Sequence, residues 1–411
     1  MEGKTEAIFE GTGTSFIYRY PPLDLRIKIR MPKIHSNGRL TAILRFETPA
    51  GKIPSSGIVN LSAPRTRASL AKDLEEQSPT EVWRYILDDL YQRLETALLE
   101  GEPAEIIRPD AETLDMPYLV NPFLPLEMPT VFYGPGGVGK GWLGLLVAKA
   151  VVTGNAPEGL PITVEKTGPV LYLDWESCFK DLHARWTRVC QDAPDHSIIY
   201  RKCAGPLIND LEYVQGLVLE NDPILVIVDS AALASGGDLN SVESATQLFR
   251  AVRELKRTAL IIAHSPKYSN SVYGSVYFTN LARMVWEIRA EPKENENELV
   301  IGIACRKSNI GPLHKPFGVL LRFTDNSLKT SPAELQETER LANLEGTAKR
   351  ILYFLSHQGK ATVEEIADSL DIAKKTARNH LYALKRLRRV TKLPDGRWGM
   401  IAEYEVPEIP F

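Results

Sequence analysis

The sequence predicts an α/β protein: a mostly parallel sheet flanked by helices, a small α+β domain before it and a compact helical module after it. Three observations carry this. From residue 130 to about 325, apolar runs (TVFYG, PVLYLDW, ILVIVDS, ALIIAHS, LVIGIAC, FGVLLRF) alternate with helical patterns, the rhythm of strands covered on both faces. Residues 8–60 instead hold short alternating segments (SFIYRY, LRIKIRM, LTAILRF) split by turn signals. Residues 346–401 read helix, helix, helix, hairpin. A chain of 411 residues has room for about two or three such units.

With 44% hydrophobic and 25% charged residues, collagen-like, low-complexity and wholly disordered classes are excluded. The net charge of -3 favours no polyanion as a whole, so any basic surface must be local. Cys178, Cys190, Cys203 and Cys305 show no metal or disulfide spacing and read as reduced thiols. No signal-peptide pattern opens the chain and no apolar run approaches the roughly 18 residues that span a bilayer. A cytoplasmic protein is expected.

In order along the chain, residues 1–105 form the α+β domain, its helix running from Glu81 to Glu100 with Val82, Ile86, Leu90 and Leu94 on one face. Residues 106–129 read as a Pro-rich linker, 130–325 as the core, 326–345 as a second linker, 346–401 as the C-terminal module and 402–411 as a tail.

The core opens with the strand Thr130 to Tyr133, then Gly134, Pro135, Gly136, Gly137, Val138, Gly139, Lys140, Gly141 and Trp142, then a helical stretch. Strand, glycine loop and helix in that order make a phosphate cradle: backbone N–H groups turn inward, the helix N-terminus adds positive charge, and Lys140 reaches the β and γ phosphates. Position 141 is Gly where the motif ordinarily has the Ser or Thr that ligates Mg²⁺. The run VLYLDWES then delivers Asp174 and Glu176, and ILVIVDS delivers Asp229 and Ser230, at strand ends where parallel sheets bind ligands. One such acid alone is as readily a helix cap. Asp229 suits a hydrated Mg²⁺, and IIAHS ends a further strand in His264.

In this order of motifs the core resembles the RecA-like ring ATPases, and among them the RepA-like branch of hexameric replicative helicases, over roughly residues 117–323. The resemblance implies ATP and Mg²⁺ as cofactors, Glu176 as general base, Asp229 as the Mg²⁺-organising acid and His264 as γ-phosphate sensor. YGSVYFTNLARMVWEIR, with Gly274, Ser275 and Arg283, resembles the glycine-serine turn and arginine helix that follow the sensor. IACRKSNIGP resembles the strand that carries basic fingers into a neighbouring subunit's nucleotide. Lys307 matches the lysine of the K-x-R pair of DnaB-type helicases, while Asn309 stands at the arginine's place. The finger is then Lys307 alone or Lys307 assisted by Arg306, and solvated edge-strand charges are the plainer alternative.

The C-terminal pattern is that of a winged helix-turn-helix, with Ile366, Leu370 and Ile372 facing Leu381 and Leu384. Its 56 residues hold twelve Lys and Arg against five Asp and Glu, hence +7. Lys374, Lys375, Arg378, Lys385, Arg386, Arg388 and Arg389 cluster on or beyond the third helix, suited to duplex phosphates and a major groove. Winged helices also dock proteins, in which case the loop from Lys267 to Gly274 is the next place to expect DNA contacts. The expectation is an ATP-driven ring, a hexamer, that moves on single-stranded DNA and unwinds duplex during replication. Its alternatives are a nucleotide-gated DNA-binding regulator or loader with weak ATPase, and a RecA-type recombinase.

Overall fold

Alternation of apolar residues makes the first domain a half-buried sheet. β1 (Ile8–Thr12), β2 (Ser15–Tyr20), β3 (Leu25–Ile34), β4 (Leu40–Thr48) and β5 (Gly51–Ile53) pair antiparallel in that order, and β6 (Ile58–Asn60) pairs with β4. The computed structural model describes residues 7–12, 15–49, 51–53, 57–101, 104, 106–109, 117–237, 241–265, 276–292, 297–335 and 347–401. Leu25, Ile27 and Ile29 of β3 point inward onto α1 (Pro64–Gln77) and α2 (Trp83–Glu100). Helix α2 starts two residues later than the sequence pattern suggests, because Glu81 takes a left-handed φ of 61°. The expected inward face of α2 holds for Ile86, Leu90 and Leu94, which are fully buried. Helix α1 is an addition: it buries only Arg67, Leu70, Ala71 and Leu74, too sparse an apolar pattern to stand out.

Where 106–129 reads as linker, residues from 118 onward belong to the core. β7 (Tyr118–Asn121) and β8 (Leu124–Pro125) form a hairpin that β10 (Thr163–Val164) extends. Phe123 between them is wholly buried, its ring edge-on to Phe132 and Trp286 at 5.2 and 4.8 Å. The Pro-rich composition that suggests a linker here serves a tight hairpin instead.

The core sheet contains β9 (Pro129–Gly134), β11 (Val170–Asp174), β12 (Ile199–Lys202), β13 (Leu225–Asp229), β14 (Thr258–His264), β15 (Met284–Pro292), β16 (Glu298–Ser308), β17 (Phe317–Phe323) and β18 (Leu328–Ala333). Their order is β12-β11-β13-β14-β9-β15-β16-β17-β18. The first six are parallel, and the last three return antiparallel through short connections. Helices α3 (Lys140–Thr153), α4 (Phe179–Val189), α5 (Leu207–Asn221), α6 (Ala231–Ser235), α7 (Val242–Glu254) and α8 (Val276–Leu281) link the strands. Two large hydrophobic clusters, one with α3 and one with α5 to α7, account for the near-continuous apolar runs of the central strands. The first domain is fastened to α5: Ser15 Oγ donates to the Glu212 carbonyl at 3.1 Å and Lys28 Nζ to Glu220 Oε1 at 2.8 Å.

The C-terminal module contains α9 (Thr347–Gln358), α10 (Val363–Ser369) and α11 (Lys374–Arg386), with a small sheet of β19 (Lys360–Ala361), β21 (Trp398–Met400) and β20 (Val390–Lys392). Thr362 caps α10 and Glu365 reaches back to it, a capping box. Ile366, Leu381 and Leu384 are buried, with Leu370 and Ile372 packed at the edge of the same cluster. This is a winged helix-turn-helix fold. Among the described residues no helix is long and apolar enough to cross a membrane, and all four cysteines are free thiols.

Candidate active site

Strands β11, β13, β14 and β9 are parallel neighbours, so their C-terminal ends open on one side of the sheet. Gly134 ends β9 opposite His264 at the end of β14. A Cβ on Gly134 would lie 2.1 Å from the Ile288 carbonyl oxygen, so only glycine lets the chain leave the sheet there. Gly137 and Gly139 take φ values of 78° and 85°, and α3 begins at Lys140, the backbone course of a phosphate nest.

Lys140 is 4% exposed. Its ammonium donates to the Gly134 and Pro135 carbonyls at 2.9 and 2.7 Å and lies 3.4 Å from His264 Nδ1. Burial lowers its pKa to about 8, against the opposing pull of Asp229 and Glu176.

The two acids at the C-terminal end of β11 face different surroundings. Asp174 is turned into its own loop, accepting from the Glu176 and Ser177 N–H groups at 2.9 and 2.8 Å and from the Ser177 and Tyr200 hydroxyls. Glu176 lines the cleft. Its Oε1 accepts from Ser230 Oγ and lies 3.1 Å from His264 Nε2. The His264 contact, helped by Ser230 against the cost of burial, lowers the Glu176 carboxyl to about 2. Asp229 accepts from the Tyr172 hydroxyl at 2.6 Å, and its burial raises its pKa.

Lys140, Glu176, Asp229 and His264 line one cleft of about 610 Å³, with Gly141 and Trp142 from the first turn of α3 and Arg185 and Arg188 from α4. Neither arginine stands out in the sequence, because α4 carries no motif and only the tertiary fold turns it toward the loop. As a site for Mg²⁺ the donor set is incomplete: Gly141 offers no hydroxyl, and among the described residues no three His, Cys, Asp or Glu converge as a metal-binding group. The residues present do not fit a metal ligated directly by the loop.

The proposed fingers lie elsewhere. Arg283 donates its backbone N–H to the Pro129 carbonyl and so sits at the start of β9, about 17 Å down the sheet from Gly134, while Lys307 pairs with Val285 and through it is level with Val131, about 10 Å from Gly134, at roughly 3.3 Å per residue. Arg283 is exposed and follows α8 rather than riding on a helix, which corrects the arginine-helix expectation. Lys307 is not extended as a finger: its ammonium donates to the Thr279, Asn280 and Ala282 carbonyls at 2.7 to 2.8 Å, closing the end of α8. Burial, with Arg283 and Arg253 nearby, lowers its pKa. Arg306 pairs with the buried Glu287 at 2.6 Å. Gly274, Ser275 and the loop from Lys267 to Gly274 lie outside the described residues.

Residues 78–270 match the family model of an AAA domain, and 346–392 match that of the bacterial regulatory protein, arsR family. The core is a P-loop ATPase domain. Its fold is RecA-like, and the C-terminal module is a helix-turn-helix of DNA-binding type. Among solved structures, the chain is similar to a KaiC-like protein, PH0186, from the hyperthermophilic archaeon Pyrococcus horikoshii OT3, at 15% identity and a TM-score of 0.37 over 53% of this chain and 98% of that one. No curated protein matches the sequence. On the winged module of this ATPase, Lys374, Lys375, Arg378, Arg386 and Arg388 are exposed on or just past α11, and Arg389 is half-buried.

Proposed function

We propose that the protein is an ATP-hydrolysing, ring-forming DNA motor, a replicative helicase of RepA-like type that acts on single-stranded DNA. The reading is carried by one juxtaposition: Glu176, His264 and Lys140 form a connected set beside the phosphate loop of a chain that also presents an exposed basic helix. In this reading Lys140 exchanges its loop carbonyls for the β and γ phosphates. Glu176, ionised and held by Ser230 and His264, orients a water and accepts its proton as the water oxygen bonds to the γ phosphorus. The bond to the bridging oxygen breaks, leaving ADP and phosphate. His264 touches both Lys140 and Glu176 and so can report the γ-phosphate to both.

In this reading Arg283, exposed at the far end of the sheet, serves a neighbouring subunit. Arg306 is secondary, and Lys307, on β16, closes the end of α8 within its own subunit. The cytoplasm, with its ATP, is the compartment this chemistry needs. The test is ATP turnover with and without single-stranded DNA, alongside native mass: strong stimulation in a hexamer supports the motor. Tight ATP binding with negligible turnover would instead favour a nucleotide-gated regulator, the reading to which Gly141 and the arsR-type match lend weight.

A further inference from the structure

We propose that Arg185 is a phosphate-binding residue standing at the place of the missing metal ligand, so that the cleft holds a nucleoside triphosphate with little dependence on Mg²⁺. This rests on the nucleotide reading of the cleft. A Cβ built on Gly141 would lie 3.6 Å from an Arg185 guanidinium nitrogen and 3.7 Å from Asp229 Oδ2. Cation and carboxylate thus converge where the hydroxyl of the usual motif would project toward the metal. The loss of the hydroxyl and the arrival of the arginine are two features of one spot.

The geometry suits exchange onto a ligand. Arg185 is one turn from Asp181 on α4, and their charges pair at 2.8 Å while the buried Asp181 Oδ2 has no hydrogen-bond partner. The pair is also partly solvated, with side chains 35% and 42% exposed, and solvent-screened pairs contribute about 0–1 kcal/mol. The guanidinium further lies over the Trp142 ring at 5.7 Å, which fixes its height above the first turn of α3. A planar fork so held can take two phosphate oxygens, whereas the Lys140 ammonium acts as a point charge beside it.

The experiment is a fluorescence titration of the full chain with N-methylanthraniloyl-ATP, in EDTA and in excess Mg²⁺. The wild type should bind with affinities within about three-fold of each other, and Arg185→Ala should bind at least about ten-fold more weakly in EDTA, with Arg185→Lys between them. Gly141→Ser should gain metal dependence, binding at least about ten-fold more tightly with Mg²⁺ than without. If the wild type needs Mg²⁺ as much as Gly141→Ser does, or Arg185→Ala matches it in EDTA, the Arg185 proposal is wrong while the nucleotide site stands. If the wild type binds the probe in neither condition, or Lys140→Ala binds it equally well, the nucleotide reading fails and this proposal fails with it.

Discussion

The imidazole of His264 bridges two groups that sequence separates widely: Nε2 is 3.1 Å from Glu176 Oε1 and Nδ1 is 3.4 Å from the Lys140 ammonium. Glu176→Gln keeps the shape of this bridge and removes the base. It should retain ATP binding and lose at least about 100-fold in single-turnover hydrolysis. Turnover equal to the wild type would mean another group activates the water.

The same contact sets a pH expectation. The Glu176 carboxyl is held down to about 2, below its ordinary 4.5, so its stabilising contribution is complete above 4.5 and is lost as pH falls through about 2. Protonation of Glu176 therefore leaves turnover untouched from pH 5 upward. A fall in kcat between pH 5 and 6 that vanishes in Glu176→Gln would contradict this.

Lys140 predicts the opposite limb. With its pKa lowered to about 8, the free protein releases that proton as pH rises past 8, while phosphates favour the charged form. ATP affinity should fall above pH 8 by up to about ten-fold per unit, with proton uptake on binding seen by calorimetry in buffers of different ionisation enthalpy. A pH-independent affinity from 8 to 9.5 would show that the ammonium does not meet the phosphates.

Lys307→Ala separates a capping role from a finger. Loss of the cation that closes α8 should lower stability by about 1–2 kcal/mol in chemical denaturation of isolated subunits. A finger acting only across subunits would leave subunit stability unchanged and slow turnover in mixed rings.

Removing residues 346–411 should weaken duplex binding and flatten its salt dependence, leaving basal ATPase largely intact. Every phosphate that the shortened chain no longer neutralises lowers the slope of log affinity against log salt by about 0.9. Replacing Lys374, Lys375 and Arg378 together should reproduce part of the change, because all three are exposed on α11. An unchanged slope would make the module a protein-docking element.

The central strands are legible in the sequence because they are buried on both faces, and the phosphate loop because its spacing is fixed by the ligand it cradles. The turn of β15 to β18 into antiparallel order is not, since apolar runs carry no direction. Helix α1 stays hidden because Leu70, Ala71 and Leu74 are its only buried apolar residues. Phe123 sits in a Pro-rich stretch whose composition reads as linker, yet its ring packs on Trp286 in the core. Arg185 reaches the loop only through the packing of α4, which no local spacing announces. Lys307 is visible as a basic residue on a strand, but its partners are carbonyls, which sequence does not distinguish.

The assembly of the cleft from strand ends far apart in the chain also bears on folding. Glu176 and His264 are 88 residues apart, and Lys140 and His264 are 124 apart. No contiguous fragment smaller than most of the sheet holds the set, so a nucleotide that touches all three acts as a clasp across β9, β11, β13 and β14. Its stabilisation is then shared by those strands as one cooperative unit, and their amides should gain protection from hydrogen exchange together when it binds.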